Sequence, residues 1–383
     1  MLIHGKKIAI VGGGPGGLTL ARLLQMNGAD VKVYERDFSK EARVQGATLD
    51  LHDESGLKAL EQAGLMDAFK ANYRPGADKM RIIDKSATIL MDESVNAKDE
   101  MFRPEIDRGP LRKILLESLK TDTVVWNSQL LTLNQIDGYW KLEFQNGTVA
   151  TADIVIAADG ANSKIRALIT PLKPFYAGIT IIEGAIANSE TTALAMHNLL
   201  NGGKTFAMGD EKTLIVSSKG DGSLVFYAGC KTDEQWFSTC GIDFTDKKQV
   251  LAWFKKEFSE WDASWLELFE KSDSPFILRP QYCMPLDQSW NALPNLTMLG
   301  DAAHLMPPYA GEGVNMAMLD ALELSSCLTA EEFPNVQTAI AQYEKQMCAR
   351  FAEVGKITLE QTESLHSPNA LFDMMAMFAG ERQ

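Results

Sequence analysis

The sequence predicts a mixed α/β (α+β) fold with three parts: a Rossmann-like nucleotide-binding domain, an inserted β-sheet domain and a long C-terminal bracing helix. Three observations support this fold class. A β-branched run enters a glycine-rich turn at residues 7–17. Short apolar runs separated by glycine turns fill residues 179–230, as in a β-meander. Apolar residues recur at three- and four-residue steps from 336 to 365, which indicates one long helix.

Composition limits the classes of function. The chain has 383 residues, enough for two domains and a large core. Its net charge of −14 argues against nucleic-acid and anionic-membrane partners, because both require a basic surface. No apolar run approaches the roughly 20 residues of a transmembrane helix. The five cysteines have no metal-like spacing, which predicts reduced thiols in a cytoplasmic protein without a metal site.

The first 35 residues have the pattern of a dinucleotide site. A strand over 7–11 and a helix over 18–27 flank a G-x-G-x-x-G motif, whose glycines are Gly12, Gly14 and Gly17. Such glycines allow a tight turn and let a pyrophosphate approach the helix N-terminus. Glu35 ends the next strand, where an acid can bind a ribose diol. The pattern predicts dinucleotide binding, and a coincidental glycine-rich turn is the alternative.

Two arginines and a second strand end extend this cleft. Arg43 precedes a small-residue run that fits the edge of a nucleotide site, with a surface arginine as the alternative. Arg108 stands before a helix predicted over 111–120, from which it can reach a phosphate or a ribose. The apolar strand that ends at Ala157 leads into Asp159 and Gly160. A helix N-cap is the alternative role for Asp159.

A third acid follows a strand late in the chain. The apolar run 296–299 ends in Gly300 and Asp301, and a loop then opens into a helix. The loop contains Pro308, Gly311 and Gly313. A helix start directs unpaired N–H groups and partial positive charge towards a ligand. Alone, the stretch fits an ordinary strand–loop–helix crossover equally well. His304 is expected to make a structural hydrogen bond rather than to act in catalysis.

Other elements lie between these motifs. A helix is expected over 57–69, and a hairpin is expected to join 80–83 to 87–90. Period-two alternation predicts strands between 123 and 158, with a hairpin turn at Asn146-Gly147. Two aromatic-rich helices are expected between 247 and 269, where core packing is favoured over a substrate wall.

The predicted domains interleave along the chain. The nucleotide-binding domain comprises residues 1–78, 98–172 and 276–330, the second domain 79–97 and 173–275, the bridging helix 336–366 and the tail 367–383. The helix would span about 45 Å and could brace both domains. Its apolar stripe is too short to favour a coiled coil, so a monomer is expected. The tail either closes over a pocket or packs.

The three acid-bearing strand ends together resemble those of the FAD-dependent group A monooxygenases, the aromatic-hydroxylase type, and the resemblance covers the whole chain. In that family Asp159-Gly160 is the DG motif and Gly300-Asp301 the GD motif. Within it the chain is most similar to the tetracycline-inactivating Tet(X)-type enzymes. The phrases that carry this likeness are 48–52, 258–262, 299–308, 313–315 and 343–347.

The resemblance implies a tightly bound FAD, NADPH as a transient co-substrate, and O2. Glu35 and Arg36 would lie at the adenosine ribose, and Asp50 and Arg108 would contact FAD. Asp301 would bind ribityl or ribose hydroxyls. Arg43 would serve the nicotinamide cofactor. Oxygen would reach the substrate through a flavin C4a-hydroperoxide, so no catalytic side chain is expected.

The helix start is given a specific role by the same resemblance. It comprises Gly313, Val314 and Asn315, and it would face the pyrimidine edge of the isoalloxazine. A positive dipole end there would stabilise the anionic reduced flavin.

The expected substrate residues are Glu183, Lys204, Phe206, Val225, Tyr227, Pro308 and Tyr309. The Tet(X) type has a glutamine where Glu183 stands and a histidine where Val225 stands. Its arginine and glycine positions are filled by Lys204 and Tyr227. The FAD residues are therefore intact and the recognition residues altered, which weakens the tetracycline assignment because specificity rests on such hydrogen bonds.

The expected function is NADPH- and FAD-dependent hydroxylation of a polycyclic phenol or enol, with tetracycline-type antibiotics as the first candidates. One alternative is a hydroxylase of another small phenolic compound. The alternative from another class is a flavoprotein that sequesters a drug without turning it over.

Overall fold

The computed structural model describes residues 2–42, 46–93 and 103–378. Its strands are β1 Lys7–Val11, β2 Asp30–Tyr34, β3 Leu49–Asp50, β4 Met80–Asp84, β5 Ile89–Asp92, β6 Glu105–Ile106, β7 Val124–Val125, β8 Leu130–Ile136, β9 Tyr139–Phe144, β10 Val149–Ala152, β11 Ile154–Ala157, β12 Phe175–Ile186, β13 Lys204–Gly209, β14 Lys212–Ser218, β15 Leu224–Lys231, β16 Ile277–Cys283 and β17 Leu296–Met298. Its α-helices are α1 Pro15–Met26, α2 Lys58–Gln62, α3 Met66–Lys70, α4 Arg108–Glu117, α5 Arg166–Ile169, α6 Ser189–Thr192, α7 Leu194–Leu200, α8 Trp236–Thr239, α9 Lys247–Glu257, α10 Leu266–Lys271, α11 Asp301–His304, α12 Gly313–Thr329, α13 Val336–Leu365 and α14 Ala370–Phe378.

A five-stranded parallel sheet has the order β17-β11-β1-β2-β7. Strand β11 is buried along its whole length, as expected of a sheet covered on both faces. Because the carboxyl ends of parallel strands meet at one edge, the three motifs predicted from sequence emerge beside one another. The glycine turn follows β1, the Asp159 loop follows the adjacent β11, and Asp301 follows β17.

A seven-stranded sheet has the order β16-β12-β15-β14-β13-β4-β5, and only its β13–β4 pair is parallel. One face packs on α9 and α10 through a core that includes Phe226, Phe254 and Phe269. The aromatic residues of those helices therefore form core, as predicted. The opposite face carries the residues predicted to bind substrate, and it contacts the end of α13.

Helix α13 has the predicted bounds and contacts both sheets. Near its start, the Tyr343 hydroxyl donates to the carbonyl oxygen of Met298 in β17, at 3.0 Å. Just past its end, His366 Nε2 lies 3.3 Å from Thr213 Oγ1 in β14. Helix α14 follows and packs its apolar side chains against Ile82, Phe206 and Met208 of the seven-stranded sheet. The long helix is thus a brace between the sheets, and the tail packs on one of them.

One prediction of secondary structure is wrong, and two short helices were not predicted. The expected helix over 57–69 is divided into α2 and α3, because Gly64 adopts a left-handed conformation, with φ of +69°. Between β12 and β13 the structure has α6 and α7, which no pattern in the sequence predicts. Both are short, four and seven residues, so they carry little periodicity.

Strand β16 bears on the proposed division into domains. Strand β16 pairs with β12, so residues 277–283 belong to the seven-stranded sheet although the sequence-based division placed them in the nucleotide-binding domain. Within the part of the chain that the structure describes, none of the helices combines the length and apolar character needed to cross a membrane.

Candidate active site

Two glycines of the first motif are required by backbone packing. Gly12 has a φ of +111°, and a Cβ there would lie 2.1 Å from the carbonyl oxygen of Ala158 at the end of the neighbouring strand. A Cβ on Gly17 would lie 2.3 Å from the Gly12 carbonyl oxygen. These two positions bring the start of α1 close to β1 and β11, which exposes the first N–H groups of α1 at the sheet edge.

Gly14 and Gly313 have no such reason within the protein. A Cβ on either residue would have no protein atom within 4 Å. Gly14 has an ordinary φ of −77°, so neither crowding nor backbone strain demands glycine there. Each stands at the start of a long helix, α1 or α12. The open space at both helix starts fits a bound dinucleotide whose polar groups approach the backbone.

The two helix starts lie side by side, because α1 and α12 pack closely. A Cβ on Gly16 would lie 2.8 Å from the Ala317 carbonyl oxygen and 2.8 Å from Leu299 Cδ1. Gly16 is the second residue of α1 and Ala317 the fifth of α12. Positive ends of two helix dipoles therefore face the same region.

Glu35 is buried beside the glycine turn. Its Oε2 accepts a hydrogen bond from the Gly13 amide at 2.6 Å, and its Oε1 accepts one from the Asp37 amide at 3.0 Å. The carboxylate thus fixes the turn between β1 and α1. Arg36 is exposed. Arg43, expected to serve the nicotinamide cofactor, lies outside the described residues.

Asp159 closes its own loop rather than capping helix α5. Its Oδ2 accepts from the Lys164 amide at 3.0 Å, whereas its Oδ1 is buried and has no partner among the described residues. Burial raises the pKa of Asp159, although hydrogen bonds within the loop lower it. Gly160 follows with φ of +79°. The unpartnered oxygen at the cleft fits a hydroxyl or N–H of a bound group.

Arg166 joins the second and third motifs, a role that no local sequence pattern indicates. Its guanidinium donates to the carbonyl oxygens of Ala302 at 2.7 Å, Asp301 at 2.8 Å and Ala161 at 3.0 Å. The side chain is buried, and burial lowers its pKa. A single buried cation therefore locks the loop after β11 to the turn after β17.

Asp301 presents its side chain to an open cleft within the protein. The residue is exposed to solvent, yet the surrounding protein raises the pKa of its carboxyl by desolvation. The charges of His304, Arg108 and Arg166 lower that pKa in part. Its carboxylate accepts no hydrogen bond from the described residues, so both oxygens are available to hydroxyl groups. Arg108, whose Nε donates to the Ala47 carbonyl oxygen at 3.2 Å, lies on the same side.

His304 makes the structural hydrogen bond that the sequence predicted. Its Nε2 lies 2.5 Å from Asp320 Oδ2, and both side chains are fully buried. Asp320 also accepts from the Gly300 amide at 2.9 Å and from Arg350 at 2.6 Å. These contacts connect the turn before Asp301 to α12 and α13. His304 therefore helps to fix the position of that turn without facing the cleft.

A second histidine, His52, holds the loop that precedes α12. Its Nε2 lies 3.1 Å from Asp50 Oδ2 and its Nδ1 lies 3.3 Å from Glu312 Oε1. The His52 amide donates to Asn315 Oδ1 at 3.0 Å, and Asn315 Nδ2 donates to the Asp50 carbonyl oxygen at 3.0 Å. Alternation along an extended segment could have suggested that Asp50 and His52 share a face, but nothing local pointed to Glu312.

The substrate residues predicted on the seven-stranded sheet share one face. In the register, Phe206 faces Ile215, which faces Tyr227, which faces Glu183. Lys204 and Val225 stand two residues before Phe206 and Tyr227, and therefore point the same way. The Tyr227 hydroxyl accepts from the Ala47 amide at 3.3 Å, so this face meets the loop before β3.

Two of these residues are ion-paired. Lys204 pairs with the buried Glu105 of β6, and Glu183 pairs with Arg279 of β16. Burial and the charge of Glu183 raise the pKa of Tyr227, which keeps its phenol neutral. The face thus offers a neutral hydroxyl beside a charged pair, a donor and acceptor set suited to a polar aromatic ligand.

Pro308 and Tyr309 lie in the loop opposite this face. Pro308 is exposed. The Tyr309 hydroxyl lies 3.4 Å from His366 Nε2, and Tyr309 packs against the same apolar cluster as Phe206. Burial lowers the pKa of His366 to about 4, so its imidazole is neutral and accepts from the hydroxyls. Neither Arg279 nor His366 was singled out from sequence, because their partners are distant in the chain.

A family model described as an FAD binding domain matches residues 6–175 and 291–354 of this chain. The monooxygenase asqM of Emericella nidulans is 30% identical to it, over 83% of each chain. The chain belongs to the family of FAD-dependent monooxygenases. Within this family, the 3-amino-4-hydroxybenzoate 2-monooxygenase of Streptomyces cremeus is 27% identical, over 95% of this chain and 88% of that enzyme.

This flavin monooxygenase also shares its fold with tetracycline destructase Tet(55). The two structures superpose with a TM-score of 0.74 at 21% identity, covering 95% of this chain and 91% of the other. The Rossmann-like domain, the separate sheet and the C-terminal helix predicted from sequence are thereby confirmed as the flavin monooxygenase fold. At this identity the likeness concerns the fold, and it leaves the substrate open.

Proposed function

We propose that this flavin monooxygenase uses NADPH to hydroxylate a polycyclic phenol or enol, and that tetracycline-type antibiotics are the first substrates to test. When bound, FAD supplies the redox chemistry, namely uptake of two electrons from the nicotinamide and transfer of one oxygen atom from O2. The protein's own residues bind, orient and shield the reactants.

One observation carries the proposal. Three features lie together at one edge of the five-stranded sheet, beside a polar face of the seven-stranded sheet. They are the helix starts at Gly14 and Gly313, where a Cβ would meet no protein atom, and the unpartnered carboxylate of Asp301. The start of α1 would hold the pyrophosphate, with Glu35 and Arg36 at the adenosine ribose. Asp301 and Arg108 would bind hydroxyl and phosphate groups.

The pyrimidine edge of the flavin would lie at the start of α12. Gly313, Val314 and Asn315 direct the positive end of a 17-residue helix at it. Asp159, through its unpartnered Oδ1, and Asp50 would complete the polar lining of the cofactor site.

The substrate would lie between the loop of Pro308 and Tyr309 and the sheet face of Phe206 and Tyr227. Aromatic walls suit a planar ligand, and the neutral Tyr227 hydroxyl can donate to an enolate or phenolate. Glu183, which pairs with Arg279, stands where the resemblance places a glutamine in the Tet(X) type, and the buried, apolar Val225 stands where it places a histidine. These differences favour testing smaller acidic phenols beside tetracyclines.

A small phenolic acid is the second candidate, because the Streptomyces cremeus relative is named for a hydroxybenzoate. The test compares NADPH oxidation with tetracycline, 3-amino-4-hydroxybenzoate and a neutral phenol, each followed by product mass. Stimulated oxidation with a gain of one oxygen atom identifies the substrate class. Binding of a ligand without any stimulated oxidation across the panel would contradict the proposal and indicate sequestration.

A further inference from the structure

The side chain of His52 lies between two carboxylates. Asp50 Oδ2 is 3.1 Å from one ring nitrogen and Glu312 Oε1 is 3.3 Å from the other, and the histidine is only 6% exposed. An ionised carboxylate only accepts hydrogen bonds, so both contacts are made when both ring nitrogens carry a proton. The geometry therefore favours an imidazolium, with a proton on each ring nitrogen.

The charges around His52 agree with this state. Although burial lowers it, hydrogen bonds to Asp50 and Glu312 raise the pKa of His52 to about 9. Burial raises the pKa of Asp50, but His52, Lys204 and Arg103 hold it below its usual value. Glu105 also faces Asp50, and burial raises the pKa of Glu105. The three members of the cluster, Asp50, His52 and Glu312, thus carry a net charge of about −1 at neutral pH.

The cluster lies against the start of α12. Gly311 stands so close that a Cβ there would be 3.3 Å from Asp50 Oδ1. Asn315, fully buried, hydrogen-bonds the backbone of both Asp50 and His52. The imidazolium consequently fastens the segment after β3 to the loop that opens into α12.

We propose that His52 is a positioning residue that holds the start of α12 and offsets the negative charge of Asp50 and Glu312 beside the flavin. This inference rests on the proposed placement of the pyrimidine edge at Gly313–Asn315. Without the imidazolium, two uncompensated carboxylates would face the anionic reduced flavin and disfavour reduction. His52 thereby sets the reduction potential of the bound cofactor.

Charge-matched variants separate charge from structure. His52→Gln takes the cluster from −1 to −2, Glu312→Gln takes it to 0, and the double variant returns it to −1. The potential of bound FAD, measured by anaerobic dye-coupled reduction at pH 7, should become more negative in the first variant and less negative in the second. The double variant should lie between the two single variants, near the wild type.

A purely structural histidine gives a different result. FAD-loaded variants with the wild-type potential, or single variants that both shift in the same direction, would overturn the proposal. If His52→Gln does not retain FAD, the protonation state of His52 in the apoprotein decides. The readout needs bound FAD but no turnover, so a failure of the proposed NADPH-dependent hydroxylation would show separately.

The protonation state can be tested without the cofactor. Nitrogen-15 NMR of the imidazole nitrogens in the apoprotein, with His52→Gln to assign the signal, should show both nitrogens protonated at pH 7.5. A neutral tautomer at that pH would overturn the imidazolium and the proposal with it.

Discussion

Glycine has two separable roles in the nucleotide cleft. At Gly12 and Gly17 a methyl group would collide with backbone atoms, so the fold itself demands glycine. At Gly14 and Gly313 the space is open, so glycine serves what binds there. Glycines of the same sequence motif are therefore required for two different reasons, close packing of the backbone and space for a ligand. The three-dimensional structure is needed to distinguish the two roles, because they differ in whether a backbone carbonyl, such as that of Ala158 or Gly12, points at the glycine.

Alanine at Gly14 and at Gly17 should therefore act differently. Gly17→Ala should destabilise the apoprotein by about 1–3 kcal/mol through overpacking, as measured by urea unfolding. Gly14→Ala should leave the stability of the apoprotein within about 0.5 kcal/mol and weaken FAD binding, as measured by fluorescence titration. Equal effects of both substitutions on the apoprotein would contradict this distinction.

Asp301 should matter for the cofactor and not for folding. Asp301→Ala removes acceptors for hydroxyl groups, each such charged hydrogen bond contributing about 1.5–3 kcal/mol. The variant should fold and purify largely without yellow cofactor, with FAD affinity reduced roughly 10-fold or more. Asp233→Ala, an exposed acid in the loop after β15, is the matched control. Full FAD content in the Asp301 variant would show that the carboxylate is misassigned.

At the scale of elements, the long helix was predictable and the short ones were not. Helix α13 has a continuous apolar stripe and an Asn335 cap, whose Oδ1 accepts from the Thr338 amide at 3.0 Å. Short helices such as α6 carry one turn or two, too few for periodicity to register. Arg166 and His52 act through partners far away in the chain, which local patterns do not reveal.

Helix α13 also buries an acid that makes stability depend on pH. Burial raises the pKa of Glu344 from 4.5 to about 7, although the Thr297 hydroxyl, 2.7 Å away, lowers it. Below pH 4.5 the Glu344 carboxyl is protonated in both the folded and the unfolded protein, so its burial does not reduce the free energy of unfolding. Above pH 7 the folded state must hold a buried charge, which costs about 3 kcal/mol.

Glu344→Gln keeps an acceptor for Thr297 and removes this cost. Its free energy of unfolding should exceed that of the wild type by about 3 kcal/mol at pH 8 and converge with it near pH 4.5, in urea unfolding across the pH range. Glu353→Gln, exposed on the same helix, should not change the pH dependence. A constant difference between Glu344→Gln and wild type at all pH values would refute the buried-charge explanation.

At the scale of the whole molecule, the candidate site lies where two sheets meet. The five-stranded sheet contributes three strand ends, and the seven-stranded sheet contributes one polar face. Sequence patterns predicted the strand-end residues, and the resemblance to the Tet(X) type predicted the residues of the polar face. Neither showed that Lys204 is engaged by Glu105, an ion pair that joins the second sheet to β6. Cross-domain pairs of this kind depend on docking, which no local pattern encodes.

Breaking that ion pair should weaken the junction. Lys204→Met leaves Glu105, only 3% exposed, without its cation and should destabilise the protein by about 3 kcal/mol. Adding Glu105→Gln should recover most of the loss, because the buried charge is then gone. Thermal unfolding of the single and double variants provides the measurement. Absence of recovery in the double variant would mean that Lys204 contributes mainly by packing.

The proposed function requires that one atom of O2 pass to a phenolic or enolic carbon at the expense of NADPH. The most direct measurement is turnover of the FAD-loaded protein under ¹⁸O2 with tetracycline and with 3-amino-4-hydroxybenzoate, followed by mass spectrometry. We expect substrate-stimulated NADPH oxidation and a product that carries one ¹⁸O atom. NADPH oxidation that yields only hydrogen peroxide, or no oxidation with any phenol or enol, would contradict the claim.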